Sequence, residues 1–229
     1  MEQPERSSSS PGAEFSAAEC YLLLADISGY TGFITGVSEV HGVDFSGGIP
    51  AAYGVLNSLL DTVIAGIAPD FSVVKLEGDA VFAAGTASLD GQGGQVLGQL
   101  AAMYQAFVAA RTRAIPASDH ECTACPAVAH LDLKVVLHRG HVVRQSFGTG
   151  SDLLGPAVTV AHRLLKNTVR ERIGAGPYLL LTDAAATALD VPEVGVAHVE
   201  EYADAGRIQG RIVELGSSRS GAASEAPAP

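Results

Sequence analysis

Asp26 closes a short continuous apolar run, Cys20–Ile27 (CYLLLADI), and Asp79 sits inside VKLEGDAVF. A carboxylate at the end of so apolar a segment is costly unless it is paired or binds a cation. If the two segments lie side by side, their carboxylates face each other and repel, and one or two bound cations relieve that repulsion. Oxygen ligands favour Mg²⁺ or Mn²⁺ over zinc. Gly29, three residues after Asp26, allows the backbone to approach a phosphate closely. Taken singly, each aspartate has an ordinary reading, Asp26 as a helix cap and Asp79 as a turn residue.

Several elements must position this pair. The run at 20–27 reads as a strand buried on both faces. Residues 49–67 suit a helix that starts near Pro50 and ends near Pro69. FSVVKLEG and DAVFAAG flank Gly78 as a tight hairpin, which puts Asp79 at its tip. Residues 95–114 suit a second long helix. LDLKVVLH and HVVRQSF flank Arg139–Gly140 and read as another hairpin. Residues 156–170 suit a helix with Pro156 at its first position. YLLLTD, then a small helix, then 194–202 and 207–215 complete the series, the last two turned at Asp204–Gly206. The expected fold class is α+β, a mostly antiparallel sheet with packed helices. Residues 1–16 and 216–229 are rich in Ser, Pro, Glu and small residues and read as disordered tails, leaving a domain over 17–215.

The chain has 229 residues and a formal net charge of −11. That acidity argues against a nucleic-acid partner, which requires a basic face. It does not exclude a nucleotide, because bound divalent cations supply positive charge. The N-terminus lacks the basic start and apolar run of a secretory signal, and no segment reaches the ~20 apolar residues that span a bilayer. The expectation is a soluble cytoplasmic protein with no membrane partner.

Four motifs in order resemble the class III nucleotidyl cyclase superfamily over residues 18–215. They are Asp26-Ile27-Ser28-Gly29-Tyr30-Thr31, Lys75-Leu76-Glu77-Gly78-Asp79, His138-Arg139-Gly140, and Asp152 followed by Gly155, Val158, Thr159, Ala161, His162 and Arg163. The wording KLEGDAVF and HRLLKN is similar to an uncharacterised bacterial branch of that superfamily. The resemblance implies a ferredoxin-like cyclase fold and a head-to-tail homodimer with its sites at the interface. One subunit would give Asp26, Asp79 and the backbone of Ile27 to two Mg²⁺ or Mn²⁺ ions, with Gly29, Tyr30 and Thr31 beside the nucleotide. The other would give Lys75 and Asp152 to the base, Thr159 to the ribose and Arg163 to the phosphates. The implied reaction is attack of the ribose 3′-oxygen on the α-phosphorus of ATP with loss of pyrophosphate. A catalytically weak or inactive pseudocyclase that binds nucleotide is the alternative. Helix geometry adds that Thr159, Arg163 and Asn167, spaced i, i+4, i+8, share one face.

Two departures accompany the resemblance. Thr159 stands where the family usually has Asn, and a hydroxyl lacks the amide's two donors. No late Lys is evident to hold the terminal phosphates, with Arg207 or Arg211 as substitutes. The extra chain length between the two aspartates is assigned to the Gly-containing segment 36–48.

His120, Cys122, Cys125 and His130 form a separate cluster. Cys-x-x-Cys with two nearby imidazoles has the ligand types of a structural Zn²⁺ site, and two free thiols packed in a loop is the plainer reading. The remaining histidines, His162 among them, have no ligand spacing and read as structural.

Overall fold

The structure, a computed structural model, describes residues 14–42, 46–115, 125–147 and 150–216. Eight strands form one sheet in the order β2-β3-β1-β4-β6-β8-β7, and β5 adds to β4 off this path. The strands are β1 Glu14–Ser28, β2 Ser72–Glu77, β3 Ala80–Thr86, β4 Asp132–Phe147, β5 Gly150–Leu154, β6 Tyr178–Thr182, β7 Val196–Tyr202 and β8 Gly206–Glu214. All pairings are antiparallel except β4 with β6. The helices are α1 Tyr30–His41, α2 Ala51–Ile67, α3 Gly93–Ala114, α4 Pro156–Leu164, α5 Val169–Ile173 and α6 Asp183–Ala188.

The apolar run of β1 serves two cores at once, because successive strand residues point to opposite faces. Tyr21, Leu23, Ala25 and Ile27 join a core with α1, α2, α3 and α6. Cys20, Leu22 and Leu24 join a second core with Phe82, Val136 and the α4 residues Ala157, Ala161 and Leu164. Asp26 continues this second series, so it lies at the end of the face that α4 covers.

Four sequence expectations need correction. Arg139–Gly140 is not a hairpin turn. β4 runs through it for 16 residues and pairs with β1 from Glu14↔Ser146 to Ser28↔Asp132. Gly140 serves packing instead, since a Cβ there would lie 2.8 Å from the Ala157 Cβ of α4. β1 begins at Glu14, earlier than its apolar run suggests, because that long ladder carries its polar start. The helix expected over 156–170 is two helices, with Asn167 between them. The Asn167 side chain donates to the Leu164 carbonyl at 2.6 Å and accepts from the Val169 amide and the Tyr178 hydroxyl. It is therefore a junction residue and does not share a helix face with Thr159 and Arg163. Finally, residues 36–41 of the segment taken as an insertion belong to α1, while 43–45 lie outside the described residues.

Candidate functional site

β1 and the β2–β3 hairpin bring the two aspartates together. β2 ends at Glu77 and β3 starts at Ala80, so Gly78 and Asp79 form a two-residue turn. Gly78 has φ 68°, the positive value that such a turn requires at its first central position. The register sets Asp26 opposite Ala80, and the Ile27 amide donates to the Asp79 carbonyl at 3.2 Å. Burial, and then the neighbouring charge of Asp26, push the Asp79 carboxyl above its ordinary range, with Lys134 only partly offsetting this. The repulsion expected of paired carboxylates is thus present. Tyr30 is at the same end, its phenol raised by burial and by Asp79.

Lys134 was missed in the sequence. It pairs in register with Asp26 across β1 and β4, and its Nζ lies 2.9 Å from Asp26 Oδ2. The signal was available, because Lys134 interrupts the apolar run LDLKVVLH just as Asp26 interrupts its own.

Gly29 caps α1 at φ 89°, a conformation that favours glycine. A Cβ there would also crowd the His130 carbonyl at 3.3 Å. Thr31 is exposed in the first turn of α1. Two residues beyond Asp26, the buried Ser28 hydroxyl has no hydrogen-bond partner.

These observations bear on whether a divalent cation fits. Among the described residues no group of three or more His, Cys, Asp or Glu side chains is placed to hold a metal ion. Two carboxylates are nevertheless a fitting donor set for Mg²⁺, which keeps several waters and takes one or two carboxylates plus substrate phosphates. The mutual repulsion of Asp26 and Asp79 and the orphaned Ser28 hydroxyl suit an additional cation with its water shell. For the zinc expectation, His120 and Cys122 lie outside the described residues. Cys125 and His130 bound a short 3₁₀ turn, in which His130 is exposed.

A second group lines a cleft of about 550 Å³ between β2 and α4. Lys75, Glu77, Thr159, His162, Arg163 and Lys166 form its walls. Lys75 Nζ lies 3.5 Å from Asp152 Oδ2, so the expected base-reading pair is brought together within one chain. It also lies 3.2 Å from Glu77, two residues along the same strand. Burial opposes the charge on Lys75, but the two carboxylates outweigh it and hold the ammonium above its ordinary range.

His162, read in the sequence as structural, lies in this wall. Its Nε2 is 2.9 and 3.1 Å from the two Glu77 carboxylate oxygens, and its Nδ1 is 2.8 Å from the Val158 carbonyl. Thr159 is exposed one turn before Arg163. Arg163 bonds Asp204, in the β7–β8 turn, through both Nε (2.9 Å) and Nη2. Arg211 is committed to Glu193 at 3.5 Å, and Arg207 is exposed in β8 opposite Glu201. His138 contacts Thr182 Oγ1 at 3.0 Å, and burial pushes its imidazole down to about 4.

The carboxylate pair and the cleft share no hydrogen bond or ion pair among the described residues. No helix among those residues is long and apolar enough to cross a membrane.

Comparison with known proteins gives consistent results. An uncharacterised protein of Mycobacterium tuberculosis, Rv2561/Rv2562, is 29% identical over 165 residues, covering 70% of this chain and 73% of that protein. The guanylyl cyclase Cya2 superposes with TM-score 0.61 at 12% identity, over 90% of this chain and 96% of that one. A bacterial light-regulated adenylyl cyclase gives 0.57 at 18% identity, over 88% of this chain and 53% of that one, so the present chain spans about half its length. A class III adenylyl cyclase-like ATP-binding protein from Pseudomonas aeruginosa gives 0.53 at 17% identity, over 76% of this chain and 35% of that one. These likenesses show the fold: an antiparallel-dominated sheet with packed helices, as in class III nucleotidyl cyclases. A family model described as a protein of unknown function, DUF2652, matches residues 56–172, half of the sequence, and the chain belongs to that family.

Proposed function

We propose that the protein is a nucleotidyl cyclase that converts ATP to a 3′,5′-cyclic nucleotide and pyrophosphate at the interface of a homodimer. The observation that carries this reading is the close placement of Asp26 and Asp79, two like charges at one end of the sheet. Asp26 and Asp79, with the Ile27 backbone, hold the divalent cations. Bound Mg²⁺ or Mn²⁺ supplies Lewis acidity toward the attacking hydroxyl and the leaving phosphates. Lys134 adds a fixed positive charge at the same end. From the other subunit, Lys75 and Asp152 take the base and Thr159 the ribose. Arg163 exchanges Asp204 for phosphate oxygens and stabilises charge that develops during transfer. The resemblance to class III cyclases supports a dimer, in which a second copy supplies each half with its complement.

The test is incubation of the full chain with each nucleoside triphosphate and Mn²⁺, measuring cyclic product and pyrophosphate. Wild type yields product, and Asp26→Asn or Asp79→Asn lowers the rate by about 100-fold or more. Mixing Asp26→Asn with Arg163→Ala restores about a quarter of the activity, because half of the dimers then carry one intact site. Two observations favour a second reading, a nucleotide-binding pseudocyclase. These are the hydroxyl in place of an amide at Thr159 and the engagement of Arg163 by Asp204. Metal-dependent ATP binding without product would establish it, and absence of both binding and product would overturn both readings.

A further inference from the structure

The cleft holds more polar groups than a two-residue base reader needs. Phe82 packs behind it, meeting the His162 ring edge-on at 5.0 Å between centroids and lying 5.8 Å from the Lys75 ammonium. Above that ring, a chain of contacts runs from the Val158 carbonyl through His162, Glu77 and Lys75 to Asp152, each link between 2.8 and 3.5 Å. The chain joins α4, β2 and β5, and all four side chains are partly buried.

The order along this chain matters chemically. An ammonium carries three N–H donors, and two of the three are directed at Glu77 and Asp152. The remaining donor faces a cleft in which Lys75 has a carboxylate on either side. Glu77, Lys75 and Asp152 therefore run acceptor, donor, acceptor, with Glu77 and Lys75 in the cleft wall. Adenine offers an N6–H donor next to the N1 acceptor, and that edge matches a carboxylate beside the lysine. Guanine offers an O6 acceptor followed by two N–H donors, and it needs two adjacent acceptors on one side of the lysine. Glu77 is already engaged through both oxygens by His162, and Asp152 Oδ1 accepts the Leu153 amide at 2.8 Å. With those oxygens turned to their partners, neither carboxylate presents two oxygens side by side to guanine's two N–H groups.

We propose that Glu77 and His162 are a specificity-determining brace, which fixes Lys75 between two carboxylates so that the cleft takes adenine and rejects guanine. This rests on the cleft being the nucleobase site. His162 acts through Glu77, so it is a positioning residue. Glu77 shares the placement of Lys75 with Asp152, whose own position is set by its backbone contact.

The experiment measures binding of non-cyclisable ATP and GTP analogues to the full chain with Mn²⁺, for wild type, Glu77→Gln, His162→Gln and Lys75→Ala. Thermal melting without nucleotide is run on each variant to confirm folding. Wild type favours the adenine analogue by about tenfold or more, because a site built on matched hydrogen bonds rejects an unmatched edge. Glu77→Gln and His162→Gln reduce that preference to about twofold while total affinity changes little, and Glu77→Asp restores part of it. A purely structural brace would lower both affinities equally and leave the ratio unchanged, which overturns the proposal. If Lys75→Ala alters the ratio and the Glu77 and His162 variants do not, the brace fails and the base site stands. If Lys75→Ala leaves both affinities untouched, the cleft is not the base site, and the brace falls with it.

Discussion

The two polar regions of the α4 face are built on opposite electrostatic terms. At the β1 end, Asp26 and Asp79 oppose each other, and Lys134 compensates only Asp26 directly. In the cleft, Lys75 has two carboxylates, Glu77 has an imidazole and an ammonium, and Arg163 has Asp204. The first region is poised for something to be added. In the second, Lys75, Glu77 and Arg163 already pair within the chain, and a ligand that takes Arg163 has to exchange one contact for another. An uncompensated carboxylate lowers stability in the absence of its ligand, so the contrast separates a candidate binding charge from a scaffold.

The comparison is tested most severely at the cleft wall. Gly140→Ala places a methyl 2.8 Å from Ala157 and displaces α4, which carries Thr159, His162 and Arg163. It is expected to cost about 2 kcal/mol, as overpacking does, and to weaken nucleotide binding while metal binding at the β1 end persists. Denaturant titration and separate nucleotide and Mn²⁺ titrations check this. Equal loss of both kinds of binding would show that the regions are not independent.

The next effect is a pair of opposite signs. The Asp79 carboxyl is raised in the folded state, so the folded protein binds that proton more tightly than the unfolded chain does. Its contribution is favourable at acid pH and is lost as pH rises through the folded-state value. Asp79→Asn is therefore expected to raise the cation-free melting temperature near neutrality by up to about 2 °C, because solvent screening weakens the effect at a partly exposed carboxylate. Toward acid pH the gain fades. Burial pushes the Glu77 carboxyl up, but His162 and Lys75 outweigh it and hold the group below its ordinary range. Its contribution is present above the ordinary glutamate range and is lost as pH falls through the folded value. Glu77→Gln is expected to lower the melting temperature near neutrality by a similar amount, up to about 2 °C, with the difference vanishing in acid. Melting curves across pH, with and without Mn²⁺, measure both. Shifts of the same sign would erase the contrast.

The smallest effect belongs to Arg163 and Asp204, both close to half exposed. Asp204→Ala is expected to change stability by less than about 1 kcal/mol, as exposed ion pairs do. A two- to threefold gain in nucleotide affinity would mark Asp204 as an occupant that ligand displaces.

Much of this arrangement was legible in the sequence, for physical reasons that differ by element. The β2–β3 hairpin was readable because Gly78 is required by its turn, and α2 because Pro50 and Pro69 bound it. The four ordered motifs located Asp26, Asp79, Lys75 and Asp152. Arg139–Gly140 misled because a glycine between two apolar stretches signals a turn locally, whereas here it admits a helix from another part of the chain. Asn167 misled because helical spacing does not reveal where a helix breaks. The Glu77–His162 contact, 85 positions apart, left no local trace at all.

The β1–β4 ladder has a consequence for how the protein is made. Every one of its pairs joins residues about a hundred positions apart or more, from Ser28 with Asp132 to Glu14 with Ser146. Closing so large a loop is slow, and it delays every contact that depends on it. The β2–β3 hairpin forms early from neighbouring residues, but Lys134 cannot reach Asp26 until the start of β4 has left the ribosome. During synthesis the nascent chain therefore holds the apolar run at 20–27 without its central neighbour for most of its length. A chain stalled before residue 132 would expose that strand edge to aggregation.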